Sequence, residues 1–148
     1  MSITDAERQA ALKELERGYF ELTSVLDSLS EADMLRPDTV GHWNGRDVLS
    51  HIAAWEVEGR RHMNALDEGE VDSFPDPSEF DSWNEQQVIK TREWSVDQVR
   101  AFFESAHQEF ILMVKSSGKV SPGFATGLTS HHYEEHINQF RAMQTSAN

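Results

Sequence analysis

The chain has 148 residues, no cysteine, and 26 Asp+Glu against 13 Lys+Arg, for a formal net charge of -13. That length suits one domain, residues 1–148, and the missing cysteines exclude disulfides and thiolate metal ligands. No apolar run nears the roughly 20 residues that span a bilayer, the polar Met1–Lys13 stretch is unlike a signal peptide, and the acidic balance argues against nucleic acid, so a cytoplasmic protein with neither membrane nor nucleic-acid partner is expected.

The first helix starts after Thr4, because Thr4 and Glu7 form a capping-box pair. Leu12, Leu15, Tyr19, Leu22, Val25, Leu26 and Leu29 follow at helical spacing. Ser30-Glu31-Ala32-Asp33 opens a short further turn that Pro37 closes, and Asp38–His42 reads as a loop. The second long helix begins just after Trp43. Asn44 suits its N-cap, Asp47 faces the helix dipole, and Trp43 and Val48 fit a hydrophobic staple. Val48, Ile52, Trp55, Gly59, Met63 and Leu66 form its apolar stripe, with His51 at one edge and His62 inside it. The helix runs out near Asp67-Glu68-Gly69.

Glu70–Pro77 reads as an acidic, exposed and mobile connection. Ser78 to about Glu93 has helical character around Phe80, Trp83, Val88 and Ile89. Ser95 and Gln98 form another capping box. The helix they open carries Val99, Phe103, Ala106, Phe110, Ile111 and Val114 on its apolar face, with His107 among them, and ends at Ser116-Ser117-Gly118. Lys119 to about Thr126 reads as a loop feeding the last helix. Four long amphipathic helices with no strand-like alternation predict an all-α four-helix bundle. Trp83, Trp94 and Phe80 look like apolar surface left over for a homodimer interface.

The last helix carries His132-Tyr133-Glu134-Glu135-His136. At about 100° per residue, His132, His136 and Met143 fall within roughly 40° of one another. Thr129 and Phe140 flank them, while Glu134, Asn138 and Arg141 lie opposite. Two imidazoles therefore point inward, where each ring nitrogen needs a partner. A metal ion satisfies both rings at once; hydrogen bonds to core backbone or carboxylate groups are the alternative, and the H-x3-H spacing does not choose between them. His51, about seven residues into its helix, and His107 are candidates for a third position in the same layer if the second and fourth helices run parallel, up-down fashion. His62 cannot join His51, because eleven residues of helix separate them by roughly 16 Å.

Trp43 to Glu56, reading Trp-Asn-Gly-Arg-Asp-Val-Leu-Ser-His-Ile-Ala-Ala-Trp-Glu, resembles a segment of the DinB-like superfamily. His132-Tyr133-Glu134-Glu135-His136-Ile137-Asn138-Gln139 resembles the H-x3-H-x-x-Q motif that closes it. The similarity looks nearest to the ClbS/DfsB-type branch. It implies a four-helix bundle, often dimeric, with a divalent metal on His51, His132 and His136; nickel, zinc, iron and manganese all suit nitrogen ligands. Some members lack part of the triad, and ClbS-like members act on a reactive molecule without evident need of metal.

Three functions are compatible. The first is a metal-dependent transferase or hydrolase acting on a small electrophile; any thiol must then come from a low-molecular-weight cofactor such as bacillithiol, mycothiol or glutathione. The second is a metal-free resistance protein that binds or hydrolyses a reactive small molecule in the bundle pocket. The third is a non-catalytic stress-related bundle. Tyr133 and Glu135 are the weak catalytic candidates, His107 a pocket candidate, Asp47 a candidate to orient His51, and His131 an exposed bystander. Trp43 and Trp55 read as core and staple residues rather than substrate platforms.

Overall fold

The computed structural model describes residues 2–145. Four long helices form the bundle: α1 (Asp5–Asp27), α3 (Gly45–Asp67), α5 (Val96–Ser116) and α7 (Ser130–Met143). Three short ones sit in the connections: α2 (Glu31–Leu35), α4 (Phe80–Lys90), which follows a 3-10 turn at Pro77–Glu79, and α6 (Pro122–Gly127). Among the described residues there is no strand beyond a single bridge between Val40 and Trp43.

The helix starts follow the capping chemistry. Thr4, Ser30, Asn44 and Ser95 each accept from the third helical N–H, and the side chain at that position accepts the cap's own N–H in return. Asp47 belongs to the Asn44 cap, accepting from its backbone at 3.2 Å and lying 3.4 Å from Arg46. It makes no hydrogen bond to His51, so the expected orienting role is corrected: the cap consumes this carboxylate. The stretch Lys119–Thr126, expected as a loop, contains α6. Ser121 Oγ accepts the Phe124 N–H at 3.1 Å and Pro122 takes the first turn, where a missing N–H costs nothing.

The up-down expectation is overturned. Arg8 donates to the Val114 and Ser117 carbonyls at 2.7 and 2.8 Å, and Arg100 pairs with Asp27 at 2.9 Å, so α1 and α5 are antiparallel. Arg17 meets Glu134 and Glu21 meets Arg141, so α1 and α7 are parallel. Gly45 lies against Met143, and Gly59 against Leu128, so α3 and α7 are antiparallel. Glu56 meets His107, and Arg60 meets Glu109, so α3 and α5 run parallel. The cause is the connection 68–95. It returns along the full length of α3, roughly 34 Å for 23 residues, whereas a short loop would force antiparallel neighbours.

That connection is not loose. Arg61 donates to both Asp72 oxygens, at 2.8 and 3.0 Å, and His62 Nδ1 lies 2.7 Å from Asp72 Oδ2. Arg61 first, then His62, hold the Asp72 carboxyl down to about 2. Phe74 packs on Trp55 and Phe124. The segment expected to be mobile is thus a strap pinned to α3. Phe80 and Trp83, expected on a dimer face, also pack on Trp55, with ring centroids 5.1 and 4.2 Å away. Of that trio, Trp94 is the exposed one.

The core has two apolar clusters. One surrounds Leu22, Ile52, Phe103, Tyr133 and Phe140, the other Leu15, Met63, Phe110 and Val114. Among the described residues, no helix is long and apolar enough to cross a membrane. Close approach of α1 and α7 depends on Gly18: a Cβ there would lie 2.7 Å from Ser130 Cβ and 2.9 Å from its Cα. The neighbour is backbone and cannot rotate away. Gly18→Val is expected to destabilise by at least about 2 kcal/mol through overpacking, read as a lowered urea midpoint with unchanged slope.

Candidate metal centre

Because α3 and α7 are antiparallel, His51 meets His132 and His136 where the two helices cross. His132 Nε2 lies 3.1 Å from His51 Nε2 and 3.2 Å from His136 Nε2. One ligand atom from each residue falls within 4.8 Å of the others. Nitrogens held 2.0–2.1 Å from a zinc-type ion at angles between square and tetrahedral stand roughly 2.8–3.4 Å apart. The two short separations fall in that range.

The protonation pattern also fits a cation. His136 Nδ1 lies 2.6 Å from Gln139 Oε1, an acceptor for a hydrogen on that nitrogen; the tautomer that places it there has Nε2 as its bare nitrogen. A hydrogen on His132 Nε2 bonds well to only one of its two Nε2 neighbours. A divalent ion at this point could accept a lone pair from each of the three rings. Nδ1 of His51 and of His132 are buried with no hydrogen-bond partner. Gln139 supplies the outer partner that metal-bound imidazoles use to fix their orientation.

The electrostatics agree. Burial lowers His51 to about 3, helped by the nearby His136, while the Asn84 side chain opposes the shift. Burial lowers His132 to about 2, with His51 and His136 adding to the effect. Both rings are therefore neutral throughout the physiological range, the form in which an imidazole can bind a metal.

Beside the histidines is a cavity of about 320 Å³. Trp55, Phe74, Phe80 and Leu128 wall it, with Asn84 and Glu135 as its other polar neighbours. Asn84 Oδ1 accepts from Trp55 Nε1 at 2.7 Å, which fixes the indole. A larger polar hollow near Asn64, Asp67 and Lys119, at the far end of α3, gathers no comparable group of ligands.

The structure brings His51, His132, His136 and Glu135 to this cavity, and Glu135 is exposed there. It places Tyr133 and His107 elsewhere. Tyr133 is buried, its hydroxyl donating to Glu56 Oε2 at 2.9 Å and lying 2.8 Å from His107 Nδ1. His107 Nδ1 is also 3.1 Å from Glu56 Oε1, and Tyr19 stacks on its ring at 4.0 Å. His107 is absent from the cavity lining because its ring turns into the core towards Glu56. Burial, then Glu56, raises the Tyr133 hydroxyl well above its ordinary value, so it stays protonated. His131 is exposed, as expected. Trp55, read as core, is also cavity wall. Glu56 and Phe74 escaped the sequence reading, and Phe80 and Asn84 escaped it as wall residues. The spacing of four between Phe80 and Asn84 was the available signal, since it puts them on one face of α4.

A family model described as the DinB superfamily matches residues 14–140. The chain belongs to the DinB superfamily. No curated protein sequence matches it. An uncharacterised protein from Escherichia coli UTI89 has a similar structure, with a TM-score of 0.81 at 15% identity over 92% of this chain and 91% of that one. The colibactin self-resistance protein ClbS, solved in complex with a dsDNA, superposes with a TM-score of 0.82 at 12% identity over 95% of this chain and 97% of that one. At such identities the likeness is one of fold. It nonetheless corrects the exclusion of nucleic acid: a protein of this fold is seen with double-stranded DNA. Net charge was the wrong criterion, because a local arrangement of donors, not the sum over the surface, meets a phosphate backbone.

Two outcomes follow. Tyr133→Phe removes one partner from the buried Glu56 and His107, and should cost about 1–3 kcal/mol in urea denaturation while leaving metal retention intact. The lowered pKa values of His51 and His132 mean that the unfolded chain binds more protons than the native one below about 6.5. Metal-free protein should therefore lose stability as pH falls below that point, by about 1.4 kcal/mol per pH unit for each ring. His132→Gln should flatten the slope of denaturation free energy against pH.

Proposed function

We propose that the protein is a metal-dependent enzyme that acts on a small electrophile, with His51, His132 and His136 as the ligands. The observation that carries this reading is the convergence of the three Nε2 atoms at 3.1 and 3.2 Å. His51, His132 and His136 would hold the ion, which would supply the Lewis acidity that makes a thiol or water nucleophilic near neutral pH. The chain's own residues do the rest. Gln139 orients His136, Asn84 holds Trp55, and the aromatic wall borders the reacting end. Glu135 stands at the cavity as the candidate base. With no cysteine in the chain, a thiol nucleophile would be a separate small molecule.

A second reading is a metal-free resistance protein that captures a reactive molecule in the same cavity. The shape shared with the self-resistance protein ClbS favours it.

Elemental analysis of untagged protein, reloaded in turn with nickel, zinc, iron and manganese and then dialysed at neutral pH, separates the two. About one ion per chain is expected to remain. His136→Ala should lose most of it while staying helical, and His131→Ala should keep it. Retention of none of these metals by the wild-type protein sinks the metalloenzyme reading and leaves the metal-free one.

A further inference from the structure

We propose that the cavity takes a molecule whose body is a flat, uncharged ring, and rejects carboxylated or phosphorylated ones. The inference deepens the function proposed above and rests on this cavity being the reaction site. It concerns the body of the ligand, beyond any atom that meets the histidines.

The first ground is the wall. Trp55 comes from α3, Phe74 from the strap and Phe80 from α4. Phe74 and Phe80 stand tilted to Trp55, at 59° and 76°, with centroids 5.5 and 5.1 Å away. Trp55 cannot turn to fill the space itself, because Asn84 holds its N–H and Trp83 lies against its ring at 4.2 Å. Tilted rings fixed around one space offer an inserted ring both edges and faces, the arrangements aromatic pairs prefer. Among the described residues, Leu128 is the only aliphatic side chain in the lining. At about 320 Å³, the cavity is near the small end of ligand sites, which favours a compact molecule.

The second ground is charge. Among the described residues the lining holds no Lys or Arg, and its one acidic side chain is Glu135. Arg61, which ties down the strap, is already bonded to Glu58 and Asp72. A carboxylate or phosphate would leave water without meeting the cationic fork that usually recognises it, and would face Glu135. Asn84 has its carbonyl committed to Trp55, so its remaining offer is an N–H donor, suited to a neutral oxygen. The same logic applies to a thiol: one that occupies this cavity would be uncharged, unlike glutathione with its carboxylates.

The test is an NMR titration of metal-free protein, in which no ion can draw an anion in. The probes are benzyl alcohol, cyclohexylmethanol and benzoate. Benzyl alcohol should bind with shifts at Trp55 and Phe80, roughly two- to tenfold tighter than cyclohexylmethanol and about tenfold or more tighter than benzoate. Phe80→Leu should erase the preference for the flat ring, and its helical circular dichroism would show that the bundle persists. Equal or tighter binding of benzoate, no preference for the flat ring, or no binding of any probe overturns the proposal. If the protein retains no metal yet ranks the probes as stated, the metalloenzyme reading fails and the ring pocket stands. If metal is retained and the ranking is absent, the reverse holds.

Discussion

A buried neutral imidazole needs a partner for each ring nitrogen, and in this bundle three rings direct Nε2 at one spot. Hydrogen bonds among themselves cannot satisfy all three, since a hydrogen on one Nε2 serves one of its neighbours at a time and Gln139 competes for one on His136. Burial keeps His51 and His132 from charging, so repulsion between imidazolium ions does not disperse the cluster at neutral pH. The surrounding helices therefore hold three ring nitrogens together that hydrogen bonds within the cluster satisfy only in part. Such a cluster persists because the packing of α3 and α7 fixes it, the way a fold stores an arrangement that local chemistry alone would not choose.

The connection 68–95 makes the cavity as well as the topology. By running back along α3 it lets α5 enter parallel to α3, and α7 then returns antiparallel to α3, carrying His132 and His136 past His51. The same segment supplies two of the three aromatic walls and Asn84. Its attachment at Asp72 is strong in form, with a two-pronged Arg61 contact and His62 on one carboxylate. The strap thus sets the position of Phe74 over the cavity without a helix of its own. An arrangement with short loops would preserve the helices and lose the pocket.

Helix starts were legible in the sequence because each rests on a local pair: Thr4 with Glu7, Asn44 with Asp47, Ser95 with Gln98. The three clustered histidines were legible for two different reasons. His132 and His136 follow from the helical repeat alone, whereas His51 needed either a guess at the topology or the family resemblance. The guess assumed alternating directions, and the real up-down-down-up order brings His51 in from an antiparallel helix instead. Periodicity says which face of a helix is buried but not which neighbour covers it. For that reason His107 read as a pocket residue, although its face is turned to Glu56 and Tyr133. Phe74 was illegible for a related reason: a ring in an acidic, proline-containing stretch carries no period, and only the fold shows that it lands on Trp55.

Glu56, His107 and Tyr133 add the last constraint. They join α3, α5 and α7 in one closed network. Glu56 is fully buried, and burial raises its carboxyl above the ordinary range while the bond from His107 works against that shift. A one-turn slip of α7 would strip Tyr133 from Glu56 and leave a buried polar group short of a partner, at a cost of about 1–3 kcal/mol, where an all-apolar layer would tolerate the slip far better. Tyr133 adjoins His132 in the chain, and Glu56 adjoins Trp55. The register that satisfies the network is therefore the same one that aims His132 at His51 and seats Trp55 against the cavity, so a polar core with no place in the cavity still decides where the cavity's groups point.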